Sequence, residues 1–196
     1  MNEDTLKSYV AYAKGETIDD TIYPFVRDVL ENYASGELKE KIVTEILGYT
    51  QSLDSIHGCD AFNNERPVEI KCETATPLSG RASWTSTNND TKVQKLRDSD
   101  QEFVLAGWST KGRLIYIISC NLNDTDIIDN VEEWINRCKV RTTNITPKTT
   151  HVQLGNAELN FKLINEKYID GNINKNFLKK FPINGWQWLS LFSRMD

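Results

Sequence analysis

The chain has 196 residues, of which 39% are hydrophobic, and its formal net charge at neutral pH is −5. This length is enough for one hydrophobic core, so a single domain is expected. No run of about 18 apolar residues occurs, which argues against a membrane-spanning helix. The acidic, polar start MNEDTLKSYV predicts a cytoplasmic protein without a secretory or mitochondrial signal.

The number and spacing of the cysteines and histidines limit which metal sites and disulfides the chain can form. Cys59, Cys72, Cys120 and Cys138 are widely spaced, no C-x-x-C pair occurs, and the chain has two histidines. This usage argues against a structural zinc site and against a disulfide scaffold. Free thiols in a reducing compartment are therefore expected.

Charge is distributed unevenly along the chain. Residues 1–60 carry five basic and twelve acidic side chains. Residues 81–97 carry four basic and one acidic side chain, and residues 137–180 carry nine basic and three acidic side chains. A net acidic charge alone argues against binding to nucleic acid, but an acidic third followed by two basic segments is compatible with one positive face. Ordinary surface charge is the alternative explanation.

The first 50 residues predict three helices, each with an apolar face, separated at Gly15 and at the Ser35-Gly36 pair. The apolar residues that recur at helical spacing are Leu6, Tyr9, Val10, Ala13, Ile22, Val26, Val29, Leu30, Tyr33, Leu38, Ile42, Val43, Ile46 and Leu47.

The middle of the chain predicts strands. Residues 58–72 indicate a hairpin, and the stretch from 73 to 100 is polar. The two most apolar runs, FVLAGW at 103–108 and RLIYIIS at 113–119, predict buried strands around a Ser-Thr-Lys-Gly turn.

Two further elements follow toward the end of the chain. Residues 124–138 have the spacing of an amphipathic helix with an acidic start. Residues 151–164 indicate a second hairpin around Gly155-Asn156. Helices, a hairpin, strands, a helix and more strands in this order predict an α+β or mixed α/β domain.

The hairpin GCDAFNNERPVEIKC, at 58–72, carries charges on an otherwise apolar framework. If residues 63–66 form the loop, Phe62 pairs with Pro67, Ala61 with Val68, and Asp60 with Glu69. Because facing carboxylates repel each other, a cation between them is expected. We also expect removal of Glu69 to relieve this repulsion in the metal-free protein.

Carboxylates with few other protein ligands are how Mg²⁺ is usually held. Lys71 lies on the same face as Glu69 and would sit beside a metal-bound water or a substrate phosphate. A bound divalent ion and a nearby lysine are what phosphodiester hydrolysis requires. The spacing alone is not specific, since Asp28, Glu37 and Lys39 repeat it within helical segments. A solvent-facing hairpin with a Glu–Lys pair is the alternative.

This segment resembles the D…(D/E)-x-K motif of the PD-(D/E)xK nuclease superfamily, and most closely the PvuII-like type II restriction endonucleases, with one residue fewer between Asp and Glu. The resemblance covers residues 45–180 and implies a restriction-endonuclease-like α+β core, a mixed sheet flanked by helices. It implies that Asp60, Glu69 and the carbonyl of Ile70 bind the metal and that Lys71 is the catalytic base or charge stabiliser. The expected cofactor is Mg²⁺, with Mn²⁺ as a substitute.

The resemblance also places a base-reading segment at RASWTSTNN (81–89) and a second contact at 172–176. Arg, Asn, Ser and Thr suit base edges, and the basic residues that follow, Lys92, Lys95 and Arg97, suit phosphates. The histidines that read bases in the family are absent here. The expected DNA-binding residues are Arg81, Ser83, Trp84, Thr85, Ser86, Asn88, Asn89, Lys92, Lys95, Asn172 and Asn174. A solvated loop is the alternative for 81–89, and a core position the alternative for Trp84.

Two other candidates are weaker. Glu45 on the third predicted helix could approach the metal site, although a solvated helix acid is the simpler interpretation. Cys59 beside His57 suggests a nucleophile pair, but no third group that would orient it is evident.

The sequence therefore predicts a single-domain, Mg²⁺-dependent, sequence-specific endonuclease that acts on double-stranded DNA as a homodimer. Residues 1–50 are the expected dimerisation region and residues 51–180 the catalytic and DNA-binding core. Alternatives are another PD-(D/E)xK nuclease, such as a homing or junction-resolving enzyme, and a DNA-binding module without catalysis.

Overall fold

The structure is a computed structural model that describes residues 1–52, 59–74, 81–84, 90–124, 148–151 and 160–165, with five residues of a further helical segment, 128, 129, 132, 133 and 136. Among these residues no helix is both long and apolar enough to cross a bilayer.

The chain begins with a helical region, as predicted. It comprises α1 (Glu3–Lys14), α2 (Tyr23–Asp28), which continues into a π-helical turn (Val29–Tyr33), and α3 (Gly36–Leu47). The side chains of Asn2 and Ser35 accept hydrogen bonds from the first turns of α1 and α3. These caps satisfy backbone N–H groups that have no partner within the helix.

A six-stranded mixed sheet forms the centre of the domain. In spatial order its strands are β1 (Thr50–Gln51), β2 (Ala61–Asn63), β3 (Arg66–Glu73), β5 (Glu102–Trp108), β6 (Leu114–Asn121) and β8 (Asn160–Leu163). β3 and β5 run parallel and the other neighbours are antiparallel. The helix α4 (Asp90–Asp98) precedes β5 in the chain. The α+β class expected from the sequence is confirmed.

A second sheet has two strands, β4 (Arg81–Trp84) and β7 (Lys148–His151), which pair antiparallel. Of the hairpin predicted at 151–164, residues 152–159, with the expected turn at Gly155-Asn156, lie outside the described part of the chain; His151 ends β7, which pairs with β4, and residues 160–163 form β8, which pairs with β6. Of the helix predicted at 124–138, the described residues from 128 to 136 are helical, and Leu122–Asp124 forms a 3₁₀ turn.

The core lies between the N-terminal helices and one face of the large sheet. Its helical members include Tyr12, Ile42 and Val43, and these pack with the sheet residues Ile70 and Trp108, all buried. Burying this apolar surface is the main contribution to stability. The apolar faces of the helices thus serve the chain's own core, whereas Ile22 and Tyr33, two of the apolar residues at helical spacing, are exposed.

Two long-range contacts fasten α1 to the far end of the sheet. The side-chain amide of Asn165 donates to the carbonyl oxygens of Ala13, at 2.8 Å, and Leu114, at 3.2 Å. The guanidinium of buried Arg113 lies 3.4 Å from the centre of the Tyr12 ring and donates to the Tyr12 carbonyl. The N-terminal helices are therefore an integral part of the domain.

Candidate active site

The β2–β3 hairpin has the predicted register, with Ala61 opposite Val68 and Phe62 opposite Pro67. Its loop is shorter than predicted, because Asn63 and Arg66 also pair and only two residues form the turn. Asn64 has a φ of 58° there, a conformation that asparagine tolerates better than most residues.

A buried polar network holds the hairpin against its neighbours. The carboxylate of buried Glu102 accepts hydrogen bonds from the Tyr49 hydroxyl and the Asn63 amide, each at 2.9 Å. Burial, together with the hydrogen bond and charge of Glu102, raises the pKa of Tyr49 to about 12, so this hydroxyl remains a donor at neutral pH. The network joins the end of α3, the hairpin and β5, and so fixes where β3 begins.

Beyond Val68 the edge of β3 is completed by side chains. The pairing of β2 with β3 ends at Val68, whose carbonyl accepts the N–H of Asp60 at 2.8 Å. Oδ2 of Asp60 then accepts the N–H of Ile70 at 2.7 Å, and Nζ of Lys71 donates to the carbonyl of Ile70 at 3.1 Å. A carboxylate and an ammonium thus make, with the backbone of Ile70, hydrogen bonds of the kind that a neighbouring strand makes.

Three oxygen atoms surround the ammonium of Lys71. Nζ lies 2.5 Å from Oε1 of Glu69, 3.1 Å from the carbonyl oxygen of Ile70 and 3.8 Å from Oδ2 of Asp60. The side chain of Glu69 is 6% exposed and that of Lys71 is 18% exposed. The sequence requires a cation between the two carboxylates, and in this structure Lys71 supplies it.

This arrangement corrects one expectation. Because Lys71 stands between Asp60 and Glu69, removing Glu69 takes away the nearest anion of a buried ammonium. Loss of one partner of a buried ion pair destabilises a protein, since the remaining charge is left uncompensated. Relief of repulsion is therefore not expected in the metal-free protein.

Burial disfavours the charged form of Lys71 and by itself lowers its pKa, but Glu69, Asp60 and Glu40 together outweigh this effect and raise the pKa above its ordinary value. Lys71 is consequently protonated at neutral pH in the metal-free protein. It acts there as a fixed positive charge.

Glu40 on α3 is a site residue that the sequence analysis missed. Burial raises the pKa of Glu40 to about 7, with repulsion by Asp60 and Glu69 adding to the effect. The attraction of Lys71 opposes this rise only in part. The sequence feature that could have identified Glu40 is its position on α3, three residues before the buried Val43 and four before the buried Thr44. The acid considered in its place, Glu45, is exposed and acts electrostatically on Lys7.

The oxygen atoms of Asp60, Glu69 and Ile70 suit a hard divalent cation such as Mg²⁺, which binds few carboxylates and keeps several waters. Within the described part of the chain, no three or more His, Cys, Asp or Glu residues are grouped so that they could hold a metal ion. The donor set is therefore two carboxylates and one carbonyl. These residues fit Mg²⁺ and would leave positions open for water or substrate.

The second acidic residue of β3, Glu73, is tied to the neighbouring strands. Glu73, Gly107 and Tyr116 lie side by side on β3, β5 and β6. The hydroxyl of Tyr116 donates to Oε2 of buried Glu73 at 3.1 Å. A Cβ atom on Gly107 would lie 2.2 Å from Cε1 of Tyr116, so only glycine leaves room for this ring. The contact fixes the far end of β3, two residues after Lys71.

The nucleophile alternative is not supported at Cys59. Its thiol donates to the carbonyl of Ala61 at 3.4 Å, and burial raises its pKa. A reactive cysteine requires a lowered pKa. His57 lies outside the described residues.

The predicted DNA-binding residues are placed only in part. Arg81, Ser83 and Trp84 are on β4, parts of which lie within 8 Å of β3, Cα to Cα. Lys92 and the exposed Lys95 are on α4. The residues of this set outside the described part of the chain are Thr85, Ser86, Asn88, Asn89, Asn172 and Asn174.

Arg97, also expected to contact phosphate, is engaged elsewhere. Its Nη2 lies 2.7 Å from Oδ1 of Asp129 and 2.5 Å from Oε2 of Glu132. Two carboxylates neutralise its charge and link α4 to the helical residues Asp129 and Glu132. A phosphate contact through Arg97 would therefore require breaking these exposed pairs.

Comparison with models of known protein families and with curated proteins finds no match. The functional interpretation consequently rests on the hairpin and on the side chains around it.

We expect Glu40→Gln to stabilise the protein at high pH. Since its folded-state pKa is raised, wild-type Glu40 contributes stability that is complete below about pH 4.5 and is lost as the pH rises to about 7. Because solvent partly screens Glu40, we expect Glu40→Gln to raise the free energy of unfolding at pH 8 by about 1–2 kcal/mol. Urea unfolding in EDTA from pH 4 to pH 8 measures it.

The matched control is Glu45→Gln, the same change at an exposed position of the same helix. It should leave the pH dependence of wild type intact. Parallel wild-type and Glu40→Gln curves across this range would contradict the placement of Glu40 beside the site.

Proposed function

We propose that this protein is a Mg²⁺-dependent endonuclease that hydrolyses phosphodiester bonds in double-stranded DNA, of the type II restriction class of the PD-(D/E)xK superfamily. The observation that carries the proposal is the convergence of Asp60 Oδ2, Glu69 Oε1 and the Ile70 carbonyl oxygen on a single cationic group. Such a set on a strand edge is suited to hold a divalent ion.

Asp60, Glu69 and the Ile70 carbonyl would hold the metal. A bound Mg²⁺ lowers the pKa of its water and neutralises phosphate oxygens. Lys71 would stabilise the charge that develops on the phosphate or act as the general base. Asp60 has a second task, because its bond to the Ile70 N–H fixes the orientation of the Ile70 carbonyl.

DNA would reach the site along the basic segments. β4 carries three of the predicted base-reading residues and approaches β3, so a DNA strand bound at the hairpin would pass close to it. Lys95 is exposed on α4 and available to a phosphate. This arrangement supports direct readout by Arg81, Ser83 and neighbouring side chains, with Lys92 and Lys95 as phosphate contacts.

A homodimer is part of the proposal. One active site cuts one strand, and a two-fold pair of sites matches a palindromic duplex. Since the apolar faces of the N-terminal helices are used in the core, the contact between copies would have to use residues that remain exposed, among them Phe25 and Tyr33.

A DNA-binding module without catalysis is a second candidate. The observation that favours it is that Lys71 already compensates both carboxylates in the absence of metal. A hairpin whose carboxylates are already compensated by a lysine does not require a divalent ion for its structure.

Cleavage of supercoiled plasmid in Mg²⁺ and in EDTA separates the two candidates. Wild type should produce linear DNA with discrete ends in Mg²⁺ only, and Glu69→Gln should lose at least about a hundredfold in rate. Glu65→Gln, in the exposed turn of the same hairpin, is the matched control and should cut at the wild-type rate.

If folded wild-type protein binds duplex DNA but does not cut it in Mg²⁺ or in Mn²⁺, the protein is a DNA-binding module without catalysis. Equal rates for wild type and Glu69→Gln would remove the hairpin from the reaction.

A further inference from the structure

Lys39 on α3 is a half-buried cation near the site that neither the motif nor the resemblance assigns. Its Nζ donates to Oγ1 of Thr74 at 2.7 Å and lies 5.7 Å from the centre of the Trp108 ring. Burial lowers the pKa of Lys39, and the neighbouring Cys72 offsets this only in part. The charge is therefore partly removed from water.

The other described lysines near α3 are compensated. Lys41 pairs with Glu37 at 2.6 Å and Lys71 pairs with Glu69 at 2.5 Å. No carboxylate of the described residues comes within 4.0 Å of the Lys39 ammonium, which contacts Thr74 and the Trp108 ring. Taking a charge out of water without a counter-ion is unfavourable. An anion at this position would supply the missing partner.

The position of Lys39 indicates which anion. Thr74 directly follows β3, three residues after Lys71, and is exposed. Lys39 and Lys71 both act electrostatically on Cys72, which lies between them in the strand region facing α3. The Lys39 ammonium therefore lies near the same part of β3 as Lys71, but unlike Lys71 it has no carboxylate of the described residues beside it.

We propose that Lys39 and Thr74 bind a backbone phosphate of DNA, next to the phosphate that is attacked at the hairpin. An ammonium has three donors, of which Thr74 takes one, and the Thr74 hydroxyl can itself donate to a phosphate oxygen while it accepts from Lys39. This inference rests on the proposed nuclease function, which it extends by one contact in the N-terminal third of the chain.

The contact is to phosphate, so it is independent of base sequence and depends on salt. Loss of one phosphate-contacting lysine lowers the slope of log K against log salt by about one. Lys39→Met keeps the length of the side chain and removes its charge. We expect it to reduce that slope by about one and to weaken duplex binding about tenfold at low salt.

The experiment measures binding of a fluorescent duplex over a range of NaCl concentrations in EDTA, where no cleavage occurs. Lys41→Met is the matched control on the same helix, because Lys41 is already paired with Glu37. Thr74→Val tests the hydroxyl separately, and Lys39→Gln replaces Lys39→Met if the methionine variant does not fold. Far-ultraviolet circular dichroism checks the fold of each variant.

A lower slope for Lys39→Met or Lys39→Gln, with wild-type behaviour of Lys41→Met, supports the contact. An unchanged slope for the Lys39 variants overturns it, even where wild type cuts plasmid. Absence of duplex binding by wild-type protein overturns the proposed function and this inference together, so the two failures are distinguishable.

Discussion

Lys71→Met is expected to abolish Mg²⁺-dependent cleavage and, at the same time, to strengthen the binding of Ca²⁺ at the hairpin. In the metal-free protein the ammonium stands among the oxygens of Glu69, Ile70 and Asp60. A divalent ion has to displace it, so Lys71 competes with the metal as well as stabilising charge on the phosphate. Loss of the positive charge should lower the cleavage rate by about 10²–10³-fold.

Calorimetric titration with Ca²⁺ checks the second part without reference to activity. The affinity of Lys71→Met should exceed that of wild type by about tenfold, which corresponds to about 1.4 kcal/mol. Lys41→Met is the control and should bind Ca²⁺ as wild type does. Weaker binding by Lys71→Met would mean that the ammonium assists the metal site rather than competing for it.

Gly107→Ala is expected to lower the free energy of unfolding by about 2–4 kcal/mol, because the Tyr116 ring must move and its hydrogen bond to buried Glu73 is lost. Urea unfolding followed by tryptophan fluorescence measures the change. Gly36→Ala is the control, since an added Cβ there meets only Oε1 of Glu40, at 3.9 Å.

A double-mutant cycle identifies the cause of the loss. In a Tyr116→Ala background the added methyl group has space, and the further cost of Gly107→Ala should fall below about 1 kcal/mol. If the cost is the same in both backgrounds, the ring is not the obstacle and the loss arises in the backbone of β5.

The elements that the sequence predicted well are those whose signal is local. β5 and β6 are continuous apolar runs, and β5 is buried along its whole length. The register of the β2–β3 hairpin follows from the alternation of apolar and charged side chains, since a slip of one residue would turn Val68 and Ile70 away from the core. The proximity of Asp60, Glu69 and Lys71 follows from the same alternation.

The features that it did not predict depend on distant partners. β7 pairs with β4 and β8 pairs with β6, and no local pattern in the sequence identifies these partners. Glu40 approaches the site because of how α3 packs on the sheet, which helical periodicity does not determine. Glu45, five residues further along α3, is an equally good candidate from the sequence alone, but it is exposed and acts electrostatically on Lys7.

The fastening of α1 to the far end of the sheet has a consequence for synthesis of the protein. The contacts made by Arg113 and Asn165 reach back over 101 and 152 positions to α1. At a translation rate of about 5–20 residues per second, roughly 8–30 s separate the appearance of α1 from that of Asn165. For the first part of that interval, until β3, β5 and β6 have been synthesised, the nascent helices lack the strands that cover their apolar faces. The N-terminal region therefore leaves the ribosome first and is among the last parts of the domain to be locked in place.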